Sequence, residues 1–144
     1  MRRVVLLLLL FALVLAGCGG PTDTTVPDPP QAKPLVEADN GKVDQIISGW
    51  KQAVRVELEA QQIKPETIEE KVYESTASLQ DIAAFYDKLT EKGWTKDRRV
   101  PGVQDGLLLV GYQIGSTGSL VVGAIDTAQF GGSGVVIYTA KGTK

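Results

Sequence analysis

Leu107-Leu108-Leu109-Val110-Gly111-Tyr112-Gln113-Ile114, then Gly115-Ser116-Thr117-Gly118, then Leu120-Val121-Val122-Gly123-Ala124-Ile125 carry the strongest structural signal in the chain. A third apolar run, Val135-Val136-Ile137-Tyr138, follows Gly131-Gly132-Ser133-Gly134. Short runs rich in branched and aromatic residues, separated by glycine-rich turns, read as neighbouring antiparallel strands. A less apolar strand is expected over 95–100, ending at Pro101-Gly102. This C-terminal half is therefore a meander of about four strands.

Upstream the periodicity changes. Val43, Ile46, Ile47, Trp50, Val54 and Leu58 recur at spacings of three and four, one face of a helix. A rival pattern overlaps it: Val54, Val56, Leu58 and Ala60 alternate with Arg55, Glu57 and Glu59, as in a strand. The helix therefore ends near Ala53 or near Gln61, and the lack of a turn residue between the two patterns favours Gln61. Ser78 and Asp81 have the spacing of a capping box, with the acidic residue where a helix start favours negative charge. Leu79, Ile82, Ala83, Tyr86 and Leu89 then line one face. Gly93 stands where a left-handed cap would close that helix, and 69–75 reads as a short strand between the two. The sum predicts an α+β domain. Its order is helix–strand–helix followed by a β-meander, with both helices packed on one face of an antiparallel sheet of about four to five strands.

Outside 41–144 the composition is different. Arg2 and Arg3 precede an unbroken apolar run from Val4 to Leu15, and Leu15-Ala16-Gly17-Cys18 follows. A positive start, a short apolar middle and small residues at the cut make an export signal. The run is shorter than the roughly 20 residues of a spanning helix. The last four residues resemble the lipobox of bacterial lipoproteins. That resemblance implies cleavage between Gly17 and Cys18, a diacylglycerol on the Cys18 thiol, and residence on the extracytoplasmic face of a bacterial membrane. Cys18 is the only cysteine, so no disulfide within the chain competes for it. Residues 18–40, rich in Pro, Thr and Gly, are expected to be a disordered tether. At about 3 Å per residue, residues 19–40 would hold the domain as much as roughly 60 Å from the lipid. Tyr73-Glu74-Ser75, Ile82-Ala83-Ala84-Phe85-Tyr86, Leu89 and Gly93-Trp94 also look like a packing segment that recurs in small bacterial envelope lipoproteins.

The composition limits the chemistry. The chain has no histidine, and its 15 Lys and Arg against 17 Asp and Glu leave a net charge of −2. Ser-His-Asp and Cys-His arrangements are excluded, and nothing concentrates the basic charge that a nucleic acid requires. No cofactor is implied. Ser48-Gly49-Trp50-Lys51 matches an S-x-x-K, but its companion motifs are missing; Lys141-Gly142-Thr143 has the wrong order. Asp126-Thr127-Ala128 resembles half of an aspartic-protease site, which needs two carboxylates. Lys88, Lys92, Lys96, Arg98 and Arg99 form a basic cluster interrupted by Glu91 and Asp97.

The expectation is a non-catalytic binding or scaffolding domain. Its partners would be membrane lipid, through Cys18, and another envelope protein or wall polymer. Two alternatives stand beside it. One is a small hydrolase using Asp126; the other is a ligand-capturing module with its groove between the second helix and the sheet, near Trp94 and Tyr112.

Overall fold

The computed structural model describes residues 23–100 and 102–144. The signal segment, Gly17 and Cys18 lie outside the described residues. In chain order the elements are β1 (Ala32–Pro34), α1 (Gly41–Ala60), β2 (Glu69–Ser75), α2 (Leu79–Asp87), β3 (Trp94–Lys96), β4 (Gly102–Gln104), β5 (Leu107–Ile114), β6 (Gly118–Asp126) and β7 (Val135–Thr143). The strands form one seven-stranded sheet in the order β1-β2-β7-β6-β5-β3, with β4 beside β3 on the outer edge of β5. Every pairing is antiparallel.

Each helix begins where its cap dictates. The Asn40 side chain accepts from the backbone N–H groups of Lys42 and Val43, and its own Nδ2 donates to the Phe130 carbonyl, 3.2 Å away. α1 runs on to Ala60, so the longer reading is the right one. Val54 and Leu58, four residues apart, are buried, whereas Val56 between them is 68% exposed; a strand would have buried all three on one side. At α2 both halves of the Ser78–Asp81 capping box are present. The chain continues through a 3-10 turn, Lys88–Lys92, and closes at Gly93 with φ of 90°, a conformation that favours glycine.

Three expectations need correction. First, the helices occupy opposite faces of the sheet. Leu79, Ile82 and Tyr86 of α2 pack with Leu108, Val110, Tyr112, Leu120, Val122 and Ile137. Val43, Ile47, Val54 and Leu58 of α1 pack with Ile125, Val136 and Tyr138. Adjacent residues of β6 and β7 thus feed different cores, because side chains alternate across a strand. The long apolar runs are those of a sheet buried on both sides. Second, the sheet has seven strands, not four or five. The extra ones, β1 and β4, are three residues long, too short to show a period. The strand expected over 95–100 pairs only from Trp94 to Lys96, because the Asp97 carboxylate turns the chain by accepting from the Arg99 backbone N–H.

Third, residues 23–40 are docked on the domain and are not a free tether. Residues 32–34 pair with 73–75, which puts the start of the folded unit well ahead of residue 41. Ahead of β1, Pro29 is buried and Val26 packs against the α2-side core. Tyr73 donates its hydroxyl to Asp28 Oδ1 at 2.6 Å, and Ser75 donates to the Pro30 carbonyl at 2.7 Å. After β1, Leu35 and Ala38 pack on the α1 side. The segment wraps the β1 edge of the sheet from one face to the other.

Candidate functional site

On the α2 face β5 is covered: Leu108, Val110, Tyr112 and Ile114 are all buried. On the α1 face its intervening residues Leu107, Leu109 and Gly111 are only half-buried. One helix cannot cover seven strands, and α1 lies over β6 and β7. What remains is a groove of about 420 Å³ beside α1, within the usual size of a small-ligand site. Trp50, Ala53, Val54 and Glu57 form the helix wall, Leu109 and Val121 the floor, and Asp97, Arg99 and Val100 the opposite wall.

Two glycines inside strands shape this groove. A Cβ on Gly123 would come within 2.5 Å of the Trp50 ring, so the indole lies directly on the β6 backbone. A Cβ on Gly111 would touch only the Cβ of Asp97, at 3.5 Å. At the rim the Arg99 guanidinium grips Asp97 with Nε and a terminal nitrogen, the shortest contact being 2.7 Å. Those side-chain and backbone donors hold the Asp97 carboxyl below its ordinary range.

The end of the groove near the α1 C-terminus is polar. Ser119 donates to Gln61 Oε1 at 2.6 Å, Gln113 Nε2 approaches the same oxygen at 3.4 Å, and Gln61 Nε2 donates to Glu57 Oε1 at 2.8 Å. A second hollow of about 160 Å³ adjoins there, reaching Ser116 and Lys144.

The groove is not where the sequence put it. Trp94 is 3% exposed and Tyr112 1% exposed; both rings belong to the α2-side core. Tyr112 borders the α1-side groove with its main chain, while its hydroxyl donates to Asp87 Oδ1 at 2.7 Å on the other face. Burial raises the Asp87 carboxyl, but the hydrogen bonds from Lys96 and Tyr112 outweigh it and leave it below its ordinary value. Burial also pushes the Tyr112 hydroxyl well up. Within this basic cluster, Lys96 pairs with Asp87 at 2.8 Å and Arg99 with Asp97.

Asp126 has a local role. Its Oδ1 accepts from the Ala128 N–H at 3.0 Å and starts the 3-10 turn Thr127–Phe130. The shallow hollow it borders has no second carboxylate in its lining. Ser48 and Lys51 are exposed on α1. Among the described residues no group of three or more His, Cys, Asp or Glu side chains is placed to hold a metal ion. None of the described helices is long and apolar enough to cross a membrane.

Sequence reasoning placed Trp50 on the buried face of the helix and did not see it as a groove wall. The available signal was Gly111 and Gly123 themselves, since glycine inside an apolar strand marks close approach of another chain. No family model, no curated protein and no solved structure matches this chain.

Proposed function

We propose that this is a lipid-anchored extracytoplasmic envelope protein, held at a bacterial membrane surface by acylated Cys18, whose domain binds a ligand and performs no chemistry on it. The observation that carries the binding reading is the α1-side groove. It has an apolar floor, one polar end and walls contributed by a helix, two strands and a loop. A fold with a fully covered sheet would have no such feature. The anchor reading rests on Leu15-Ala16-Gly17-Cys18 behind a basic and apolar leader.

The absence of histidine from the sequence and the use of Asp126 as a turn cap favour binding over hydrolysis. With Asp126→Asn we expect any envelope phenotype of the gene to be retained; its loss would revive the hydrolase reading.

The anchor is tested by the mass of membrane-extracted wild-type protein beside Cys18→Ser. A wild-type mass of residues 18–144 plus acyl chains, absent from the variant, is the expected result. A soluble, unacylated product would overturn the anchor and leave the groove untouched. The groove is tested separately with a small apolar photoreactive probe, adamantyl diazirine. Adducts are expected on peptides that contain Trp50, Ala53 or Leu109.

A further inference from the structure

The groove has a direction. From Trp50 to Gln61 it follows eleven residues of α1, about 16 Å at the helical rise. Its Trp50 end is apolar, with Leu109, Val100 and Val121 around the indole. Its other end holds the hydrogen-bonding groups of Gln61, Gln113 and Ser119, with the Glu57 carboxylate taken up by the Gln61 amide. One narrow apolar run ending in hydroxyl and amide groups matches a molecule with one hydrocarbon chain and a polar head. The length also matches: half of a bilayer's hydrocarbon core is about 15 Å.

A peptide fits this site poorly. Its N–H and C=O groups would need partners when buried. The floor offers no backbone partners, because β5 is paired on one side to β6 and on the other to β3 and β4.

The position of the polar end points to where the ligand comes from. A Cβ on Gly118 would lie 3.5 Å from the Thr24 side chain, so the docked N-terminal segment starts at the same end of the sheet as Ser119 and Gln113. Asp23 is five residues from Cys18, at most about 18 Å of extended chain. With Cys18 in lipid, that span would let this end of the sheet reach the membrane, Thr24 lying on the α2 face and the groove on the α1 face.

We propose that the groove accommodates the acyl chain of a single-chain lipid with an uncharged, hydrogen-bonding head, a monoacylglycerol being the simplest example. The chain lies along Trp50, Leu109 and Val121, and the head meets Gln61, Gln113 and Ser119. At the rim Asp97 and Arg99 neutralise each other, and the remaining charged residue of the lining is the Glu57 carboxylate, so no unpaired positive charge is left to hold an anionic head. This inference rests on the reading of the groove as a binding site.

The test uses the full, membrane-extracted protein in phosphatidylcholine vesicles doped with a monoacylglycerol that carries a diazirine in its chain. We expect adducts on the peptides containing Trp50, Ala53 and Leu109, with at least a tenfold loss in Gly111→Leu, whose new side chain projects into the groove. Ala53→Trp fills the same space from the helix and serves if Gly111→Leu does not fold, as judged by circular dichroism.

Adducts confined to the residues next to Cys18, or unchanged in both variants, would overturn the proposal. Groove labelling by adamantyl diazirine but not by the monoacylglycerol would sink the lipid assignment and leave the binding site standing. Labelling by neither would remove both. Equal labelling by the corresponding fatty acid, whose head is a carboxylate, would overturn the assignment of an uncharged head.

Discussion

The two faces of one sheet are finished differently. On the α2 side, the helix, the 3-10 turn after it and the docked segment 23–31 cover the strands. The cover is fastened by Tyr73 to Asp28 and Tyr112 to Asp87. On the α1 side a single longer helix covers β6 and β7 and is tied to β2 through Glu70, which accepts from Arg55 at 2.9 Å and from Tyr138 at 2.7 Å. β5 records the contrast residue by residue: every second residue is buried, and those between are half-buried or, at Gln113, exposed. Burial is deeper on the closed face, and the groove lies on the face left partly open.

The largest difference between the two faces is expected from a matched pair of truncations. Ile82→Ala, at a fully buried position of the closed face, should lower unfolding free energy by about 2–5 kcal/mol. Leu109→Ala, half-buried on the open face, should cost less than about 1 kcal/mol. Equal costs in urea titrations would show that the α1 face is closed in solution.

Next in size is the fastening of the N-terminal segment. Tyr73→Phe removes its hydrogen bond to Asp28 and should cost about 1–2 kcal/mol. Proteolysis within 23–31 should quicken in the same variant. Unchanged cleavage would mean that apolar packing of Val26 and Pro29 alone holds the segment.

A pH series then addresses the Asp87 cluster. Its carboxyl lies below the ordinary 3.8, so its contribution is present above about pH 4 and fades as pH falls through the lower, folded value. The thermal midpoint should drop on acidification in the wild type and less steeply in Asp87→Asn. Parallel curves would assign the acid sensitivity to other carboxylates. The smallest effect is expected at Tyr86, whose buried hydroxyl has no hydrogen-bond partner among the described groups. Tyr86→Phe should shift stability by less than about 1 kcal/mol, in either direction. A larger loss would reveal a partner beneath the docked segment.

Much of this was legible in the residues, where the signal is local. The Ser78–Asp81 box, the Gly93 cap and the strands on either side of 115–118 follow from side-chain chemistry within a few positions. The groove was not legible, because it depends on how far one helix reaches across a sheet. Trp94 is a large aromatic just past a helix end and Tyr112 one inside a strand, which by pattern alone suits a ligand groove as well as a core.

The two helices, the major strands, the α+β class and the lack of histidine chemistry are all written in the residues. Each of these is set by periodicity or composition. The placement of the helices on opposite faces, the docking of residues 23–40 on the sheet and the opening beside Trp50 come from long-range packing. A strand apolar on both sides does not say which helix will cover which side. A short proline-rich segment has no period that announces its docking, and its place depends on Tyr73, Ser75 and the free β2 edge, groups 39 to 45 residues away in the chain.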